Sequence, residues 1–158
     1  MLLDRVPVYF GESALHRLER DVLGQSGVKS VIMIEGINDI SAAHASAPFL
    51  ISGYQEIIER AHARGLRIYG GTLVPFMGSN GKFGGDYGTD YGEQQRLAVN
   101  QWIRTSDEFD GVIDFDKAVR DPANPSYMLP AYDSGDHLHP GDLGYDVMAG
   151  AIDLDMIL

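Results

Sequence analysis

The sequence predicts an α/β fold in which helices pack on a parallel sheet. Short apolar runs, typical of buried strands, alternate along the chain with segments that carry apolar residues at helical spacing. The chain has 158 residues, of which 44% are hydrophobic and 22% charged. This is the length and composition of one ordinary globular domain. We therefore expect a single domain over residues 1–158.

Three segments are predicted to be strands. Residues 31–34 are a continuous apolar run, as expected for a strand that is covered on both faces. Residues 66–74 are the second predicted strand, which stops at Pro75. Residues 112–115 are the third. Because helical segments separate these runs, we expect the strands to lie parallel in one sheet.

Four segments have the apolar spacing of helices. The first begins after Ser13, a residue type that caps helices, and ends at Gly24. Residues 49–64 and 93–105 are the next two. The last begins near residues 141–142 and is expected to run through Ile152.

Residues 77–92 are rich in Gly, Asp and Tyr, which predicts a long loop. A loop of this length is typical of a lid or a binding loop, and equally of a surface excursion. Its aromatic residues Phe83, Tyr87 and Tyr91 either line an acyl pocket or pack against the domain.

The charge balance excludes several partners. The formal net charge is −11, and such a field repels nucleic acid and anionic membranes. No run approaches the roughly 18 apolar residues of a membrane span, and no signal peptide is visible. The protein is expected to be cytoplasmic if Met1 is the true start. The absence of cysteine excludes a disulfide scaffold and a thiol nucleophile.

The loop after the first predicted strand contains Gly36, Asn38 and Asp39. Gly36 permits a sharp turn at the strand end, and the amide of Asn38 can donate to a carbonyl oxygen. Ligands bind at the carboxyl ends of strands in such sheets. The same residues also fit a plain turn in which Asn or Asp caps the next helix.

A second polar segment precedes the last predicted helix. Asp136 lies three residues before His139, close enough to accept from one imidazole nitrogen and leave the other as a base. His137 and His139, with the nearby carboxylates, also permit a metal site. A solvated loop before a helix is the third interpretation, and the segment alone leaves all three open.

Together, the two segments resemble the SGNH, or GDSL-type, family of serine esterases and lipases. The motifs are Gly36-x-Asn38-Asp39 after an apolar strand and Asp136-x-x-His139-Pro140 near the C-terminus. Flanking segments that are similar to small bacterial acylhydrolases of this family are residues 20–23, 61–66, 102–104 and 131–140. The resemblance covers nearly the whole chain.

The resemblance implies a three-layer α/β/α fold and hydrolysis of a small acyl ester without a cofactor or metal. It assigns His139 as the general base and Asp136 as its orienting carboxylate. It places the oxyanion site at Gly36 and Asn38, with the Asn38 side chain as the donor.

The sequence departs from the family at the nucleophile. The family begins with a strand that ends in Gly-Asp-Ser, followed by a block that supplies an oxyanion Gly, and neither block occurs here. We therefore expect a reduced sheet of about three core strands that lacks a leading strand–helix–strand unit. The nucleophile is unknown, and the weak candidates are Ser79 and Ser41, each expected on a loop after a strand.

The missing unit predicts that the strand at residues 31–34 lacks a neighbour. A bare apolar edge favours pairing with another chain. We expect either a homo-oligomer formed through this strand or a cover formed by residues 6–10, where Pro7 favours an edge position.

Three hypotheses follow for function. The first is an ester hydrolase of the SGNH type, because the remaining site residues have the right types and spacing. The second is a catalytically impaired remnant that serves as a binding domain. The third is half of a split esterase whose nucleophile comes from another chain.

Overall fold

A three-stranded parallel sheet forms the centre of the molecule. The computed structural model describes residues 2, 11–80 and 82–158. Its strands are β1 (Ser30–Met33), β2 (Arg67–Gly71) and β3 (Gly111–Ile113). They lie in the order β1-β2-β3, with Ile32 opposite Tyr69 and Tyr69 opposite Gly111. The predicted α/β fold with three parallel strands is confirmed.

Helices connect and flank the strands. They are α1 (Ala14–Leu18), α2 (Ile37–Ala43), α3 (Ala47–Ala63), α4 (Asp90–Thr105), α5 (Phe115–Val119), α6 (Asp142–Gly150) and α7 (Leu154–Ile157). Helix α1 continues into one π-helical turn, Glu19–Leu23. None of the helices in the described part of the chain has both the length and the apolarity that a membrane span requires.

The helices cover the sheet in two layers because successive side chains of a strand point to opposite faces. Ile68 of β2 packs in a cluster with the apolar faces of α1, α3 and α4. The next residue, Tyr69, packs on the other face with Ile113 and Val119, and with side chains from α6 and α7. The result is the three-layer α/β/α arrangement, with all strand carboxyl ends at one edge.

Two strands are shorter than predicted. β2 ends at Gly71 rather than at Val74, because the N–H of Leu73 donates to the side chain of Asn100 instead of continuing a ladder. The predicted strand at residues 112–115 ends at Ile113. There the carboxylate of Asp114 accepts from the N–H of Lys117 at 3.1 Å and caps α5, which takes Phe115 into a helix.

Three helices also have different bounds, and the first of them, α3, covers Ala47–Ala63 instead of residues 49–64. Helix α4 begins at Asp90, three residues before its predicted start, because the Thr89 hydroxyl accepts from the N–H of Gly92 and caps it. The last helix does not run through Ile152. It ends at Gly150, and Asp153 caps the separate helix α7.

β1 is an edge strand among the described residues. Its free side faces a groove of about 230 Å³ lined by α1, by the π-helical turn and by Ile57 of α3. Ile32 and Ile34 are each 37% exposed, so part of their apolar surface remains accessible. The alternative cover by residues 6–10 lies outside the described residues.

Pairing of β1 between two copies of the chain stays a prediction. We expect a dimer by analytical ultracentrifugation, with slow amide exchange at residues 31–34. The variant Ile32→Lys should shift the mass to that of a monomer, because charge on an edge strand opposes pairing. A monomeric parent with rapidly exchanging amides at these positions would contradict the prediction.

Candidate active site

Asp136 and His139 form a hydrogen-bonded pair in the turn before α6. Nδ1 of His139 lies 2.6 Å from Oδ2 of Asp136. Oδ1 of Asp136 accepts from the backbone N–H groups of Leu138 and His139, each at 2.8 Å. With Nδ1 as the donor, Nε2 of the imidazole is left as a proton acceptor. The His139 side chain is 58% exposed and is therefore accessible to a substrate.

The carboxylate of Asp136 is stabilised in its ionised form. Burial by itself raises the pKa of Asp136, but four hydrogen bonds outweigh it: those from the N–H and the imidazole of His139, from the N–H of Leu138 and from the side chain of Ser134. Hydrogen bonds to a charged group favour that charge, so the pKa of Asp136 lies well below its usual range. The ionised group can stabilise the imidazolium that forms when His139 accepts a proton.

Gly36 and Asn38 lie where β1 gives way to α2. Gly36 has a φ of +127°, which favours glycine, and a Cβ there would lie 2.8 Å from the hydroxyl of Tyr54. That hydroxyl donates to the carbonyl of Glu35 and holds the strand end against α3. Gly36 therefore provides the predicted sharp turn. Asn38 follows in the first turn of α2, and its Oδ1 accepts from the hydroxyl of Tyr87 at 2.5 Å.

Asn38 and His139 line the same cleft. Two cavities of about 280 and 580 Å³ share Asn38, Leu138 and His139 as lining residues. The smaller cavity lies at the carboxyl ends of β1 and β2, and its other side chains are mostly apolar: Ile34, Ile37, Leu73, Val74, Pro140, Tyr145 and Met148. The larger cavity is lined from the 77–92 loop by Phe83, Gly84, Gly85 and Tyr87. The structure thus brings together the two segments that the sequence singles out.

His137 belongs to a second carboxylate–imidazole pair. Its Nδ1 lies 2.5 Å from Oδ2 of Asp133, and Oδ1 of Asp133 accepts from the N–H groups of Gly135 and His137. His137 lines a separate cavity of about 350 Å³ with Tyr127 and Asp121. Within residues 11–80 and 82–158, no three His, Asp or Glu side chains are arranged to hold a metal ion. His137 and His139 therefore have different carboxylate partners and line different cavities.

A buried ion network positions the wall of the cleft after β2. Arg96 of α4 donates to both carboxylate oxygens of Glu93, at 2.7 and 2.8 Å, and to Asp116 at 2.7 Å. It also donates to the carbonyl of Leu73 at 3.0 Å. The side chain of Asn100 forms two further hydrogen bonds with the backbone of Leu73. Because Leu73 lines the smaller cavity, α4 sets the position of that wall.

The two candidate serines are buried away from the cleft. Ser79 is fully buried, and its Oγ donates to the carbonyl of Phe76 at 2.6 Å. Ser41 lies inside α2 rather than on a loop, and its buried Oγ has no hydrogen-bond partner among the described residues. Neither serine lines a cavity that contains His139. The structure therefore gives no support to either as the nucleophile.

Sequence reasoning missed Arg96, Asn100 and the specific position of Tyr87. A signal for the first two is present, because Glu93, Arg96 and Asn100 lie at helical spacing on the same face as the buried Val99. Polar residues at inward positions of a helix indicate a buried network. No sequence signal separates Tyr87 from the other tyrosines of its loop.

Comparison with models of protein families matches residues 3–147 to the GDSL-like lipase/acylhydrolase family. The chain belongs to this family. The resemblance inferred from the Gly36 and Asp136 motifs is thereby confirmed. A search of curated proteins gives no significant match.

Solved structures with the same fold include two hydrolases. A GDSL-like lipase from Bacteroides thetaiotaomicron is 19% identical with a TM-score of 0.73, and the match covers 90% of this chain and 68% of that one. The native aryl esterase of M. smegmatis is 13% identical with a TM-score of 0.75, covering 100% and 74% respectively. At these identities, the likeness shows that this chain has the fold of GDSL-like hydrolases.

Membership of the GDSL-like lipase/acylhydrolase family supports ester hydrolysis at the level of the family. The sequence nevertheless contains no Gly-Asp-Ser. The described part of the cleft is lined by the amide of Asn38 and the imidazole of His139, and it has no serine in its lining.

The low pKa of Asp136 predicts how the stability of this turn depends on pH. A carboxylate whose pKa is lowered by folding contributes stability above its unfolded pKa of about 3.9, and loses it as the pH falls further. We therefore expect Asp136→Asn to lower the melting temperature at pH 5, and the difference from the parent to shrink below about pH 4.

The exposed Asp146 of α6 offers a matched control. Asp146→Asn should change the melting temperature little at any of these pH values. A difference between Asp136→Asn and the parent that stays constant from pH 5 to pH 3 would contradict the assignment.

Proposed function

We propose that this cleft hydrolyses small, uncharged acyl esters, with His139 as general base, Asp136 as its orienting carboxylate and Asn38 as the oxyanion donor. One observation carries the proposal. Asn38 and His139, far apart in the sequence, line one cleft at the carboxyl ends of the strands, where α/β sheets bind their ligands.

The imidazole of His139 moves the proton in this mechanism. Nε2 accepts the proton of the attacking hydroxyl or water while its oxygen bonds to the ester carbonyl carbon. When the C–O bond to the alcohol breaks, Nε2 returns the proton to the departing oxygen. Asp136 holds the ring through Nδ1 and stabilises the transient imidazolium.

The developing negative charge on the carbonyl oxygen requires a donor. The side-chain N–H of Asn38 is suited to this role, and a single such donor contributes about 10²–10³ in rate. The backbone of Gly36 lines the same cavity and is the second candidate for the oxyanion site.

The proposed nucleophile is a water molecule activated by His139. No Ser or Thr lines either cavity in the described part of the chain. A general base accelerates the attack of water by about 10²–10⁴, which supports a modest rate. Among the described residues β1 is an edge strand, which favours a second candidate: a parallel strand from another polypeptide adds at this edge and brings a serine to the cleft.

The lining of the cleft favours a neutral substrate. Neither cavity is lined by Lys or Arg, and the net charge of −11 opposes the approach of anions. Uncharged acyl and alcohol groups fit the mostly apolar walls better than phosphorylated or carboxylated esters do.

Hydrolysis of p-nitrophenyl acetate by the purified chain tests the proposal. His139→Ala should lower kcat/KM by about 100-fold or more, because the general base is lost. His62→Ala serves as the control, since His62 pairs with Asp110 on the surface and lines neither cavity. It should leave the rate within about twofold of the parent, the scale of a surface substitution.

Equal and slow turnover by the parent and His139→Ala would contradict the proposal and favour the binding-domain interpretation. If turnover depends on His139, a fluorophosphonate probe distinguishes a water nucleophile from a serine nucleophile. The water mechanism predicts His139-dependent turnover with no covalent adduct in the mass spectrum. An adduct on a serine of this chain would show that the chain supplies its own nucleophile.

A further inference from the structure

The glycine-rich loop of residues 77–92 lies directly against α2 near its end, at residues 85–87. The N–H of Asp86 donates to the carbonyl of Ser41 at 2.7 Å, and Oδ2 of Asp86 lies 2.5 Å from Nδ1 of His44. Gly85 has a φ of +58°, and a Cβ at this position would collide with the carbonyl oxygen of Ser41. A glycine is therefore what permits the loop backbone to approach the helix this closely.

This contact brings Tyr87 to Asn38. Tyr87 is 4% exposed, and its hydroxyl donates to Oδ1 of Asn38 at 2.5 Å. Its ring lies 5.6 Å from that of Phe83, which in turn forms an edge contact with the ring of His139 at 6.1 Å. The loop thus contacts both polar groups of the cleft.

In the structure, the hydrogen bond to Tyr87 is made with one of the two orientations of the Asn38 amide. A side-chain amide is planar, with an acceptor oxygen on one side and a donor nitrogen on the other. When the Tyr87 hydroxyl donates to Oδ1, the Nδ2 group is directed away from Tyr87. Rotation of the amide by 180° would instead present Oδ1 to the developing oxyanion. The partial negative charge on Oδ1 would repel the oxyanion.

We propose that Tyr87 is a positioning residue that fixes the orientation of the Asn38 amide, so that Nδ2 faces the reacting carbonyl oxygen. The inference rests on the proposed function of the cleft. It assigns the glycine-rich loop a role besides enclosing the cavity, because the loop carries the group that prepares the oxyanion donor.

Removing only the hydroxyl of Tyr87 distinguishes a role in positioning Asn38 from a role in packing. Tyr87→Phe keeps the ring, and we expect kcat to fall by about tenfold, less than the 10²–10³ of a lost donor, with KM within twofold of the parent. In an Asn38→Ala background, Tyr87→Phe should cause no further loss. Tyr91→Phe is the matched control, because its hydroxyl donates to the carbonyl of His44 and Tyr91 lines neither cavity.

Two kinetic results would overturn the proposal. One is a Tyr87→Phe variant with the kcat of the parent. The other is an equal loss from Tyr87→Phe with and without Asn38, which would show that the hydroxyl acts through packing. His139→Ala tests the proposed function separately, because it does not touch the Tyr87–Asn38 bond.

An NMR measurement tests the effect of Tyr87 on the Asn38 amide without requiring ester hydrolysis. The side-chain NH₂ signals of Asn38, identified by their absence in Asn38→Ala, should shift or broaden in Tyr87→Phe and remain in place in Tyr91→Phe. Unchanged Asn38 signals in Tyr87→Phe would overturn the positioning role, whatever the activity of the parent.

Discussion

The position of the cleft depends on the buried guanidinium of Arg96. It joins α4 to Asp116 at the start of α5 and to the carbonyl of Leu73 after β2. Loss of one partner from such a network costs about 3–5 kcal/mol, because a charge is left buried and unpaired. The network therefore fixes the position of Leu73 as well as stabilising the fold. Leu73 lies where the carboxyl end of β2 meets the cleft.

The two polar side chains of the cleft are held in the same way. In each, a hydrogen bond holds the atom that takes no part in the proposed reaction. His139 is held at Nδ1 by Asp136, and Asn38 is held at Oδ1 by Tyr87. The other two atoms, Nε2 and Nδ2, are those that act on the ester in the proposed mechanism. In that mechanism, these hydrogen bonds orient the base and the oxyanion donor before the substrate binds. Fold alone does not establish chemistry, but this geometry makes the chemistry testable.

The sequence predicts the parts of the structure that local pattern controls. Apolar runs located the three strands, and the rule that ligands bind at strand carboxyl ends pointed to the loop of Asn38. That His139 shares a site with Asn38 was implied by the resemblance to the GDSL-type family. Short helices escaped prediction where a single cap decides them, as when Asp114 takes Phe115 out of the third strand. The contact of Tyr87 with Asn38 depends on how a long loop packs against a distant helix, which no local pattern encodes.

The proposed hydrolysis depends above all on the imidazole of His139 acting as the base. The most direct test records the pH dependence of kcat/KM alongside an NMR titration of the His139 ring in the same protein. With His139 as the base, kcat/KM rises with pH and the midpoint of this rise coincides with the midpoint of the His139 titration. A rate profile with no inflection where His139 titrates would contradict it.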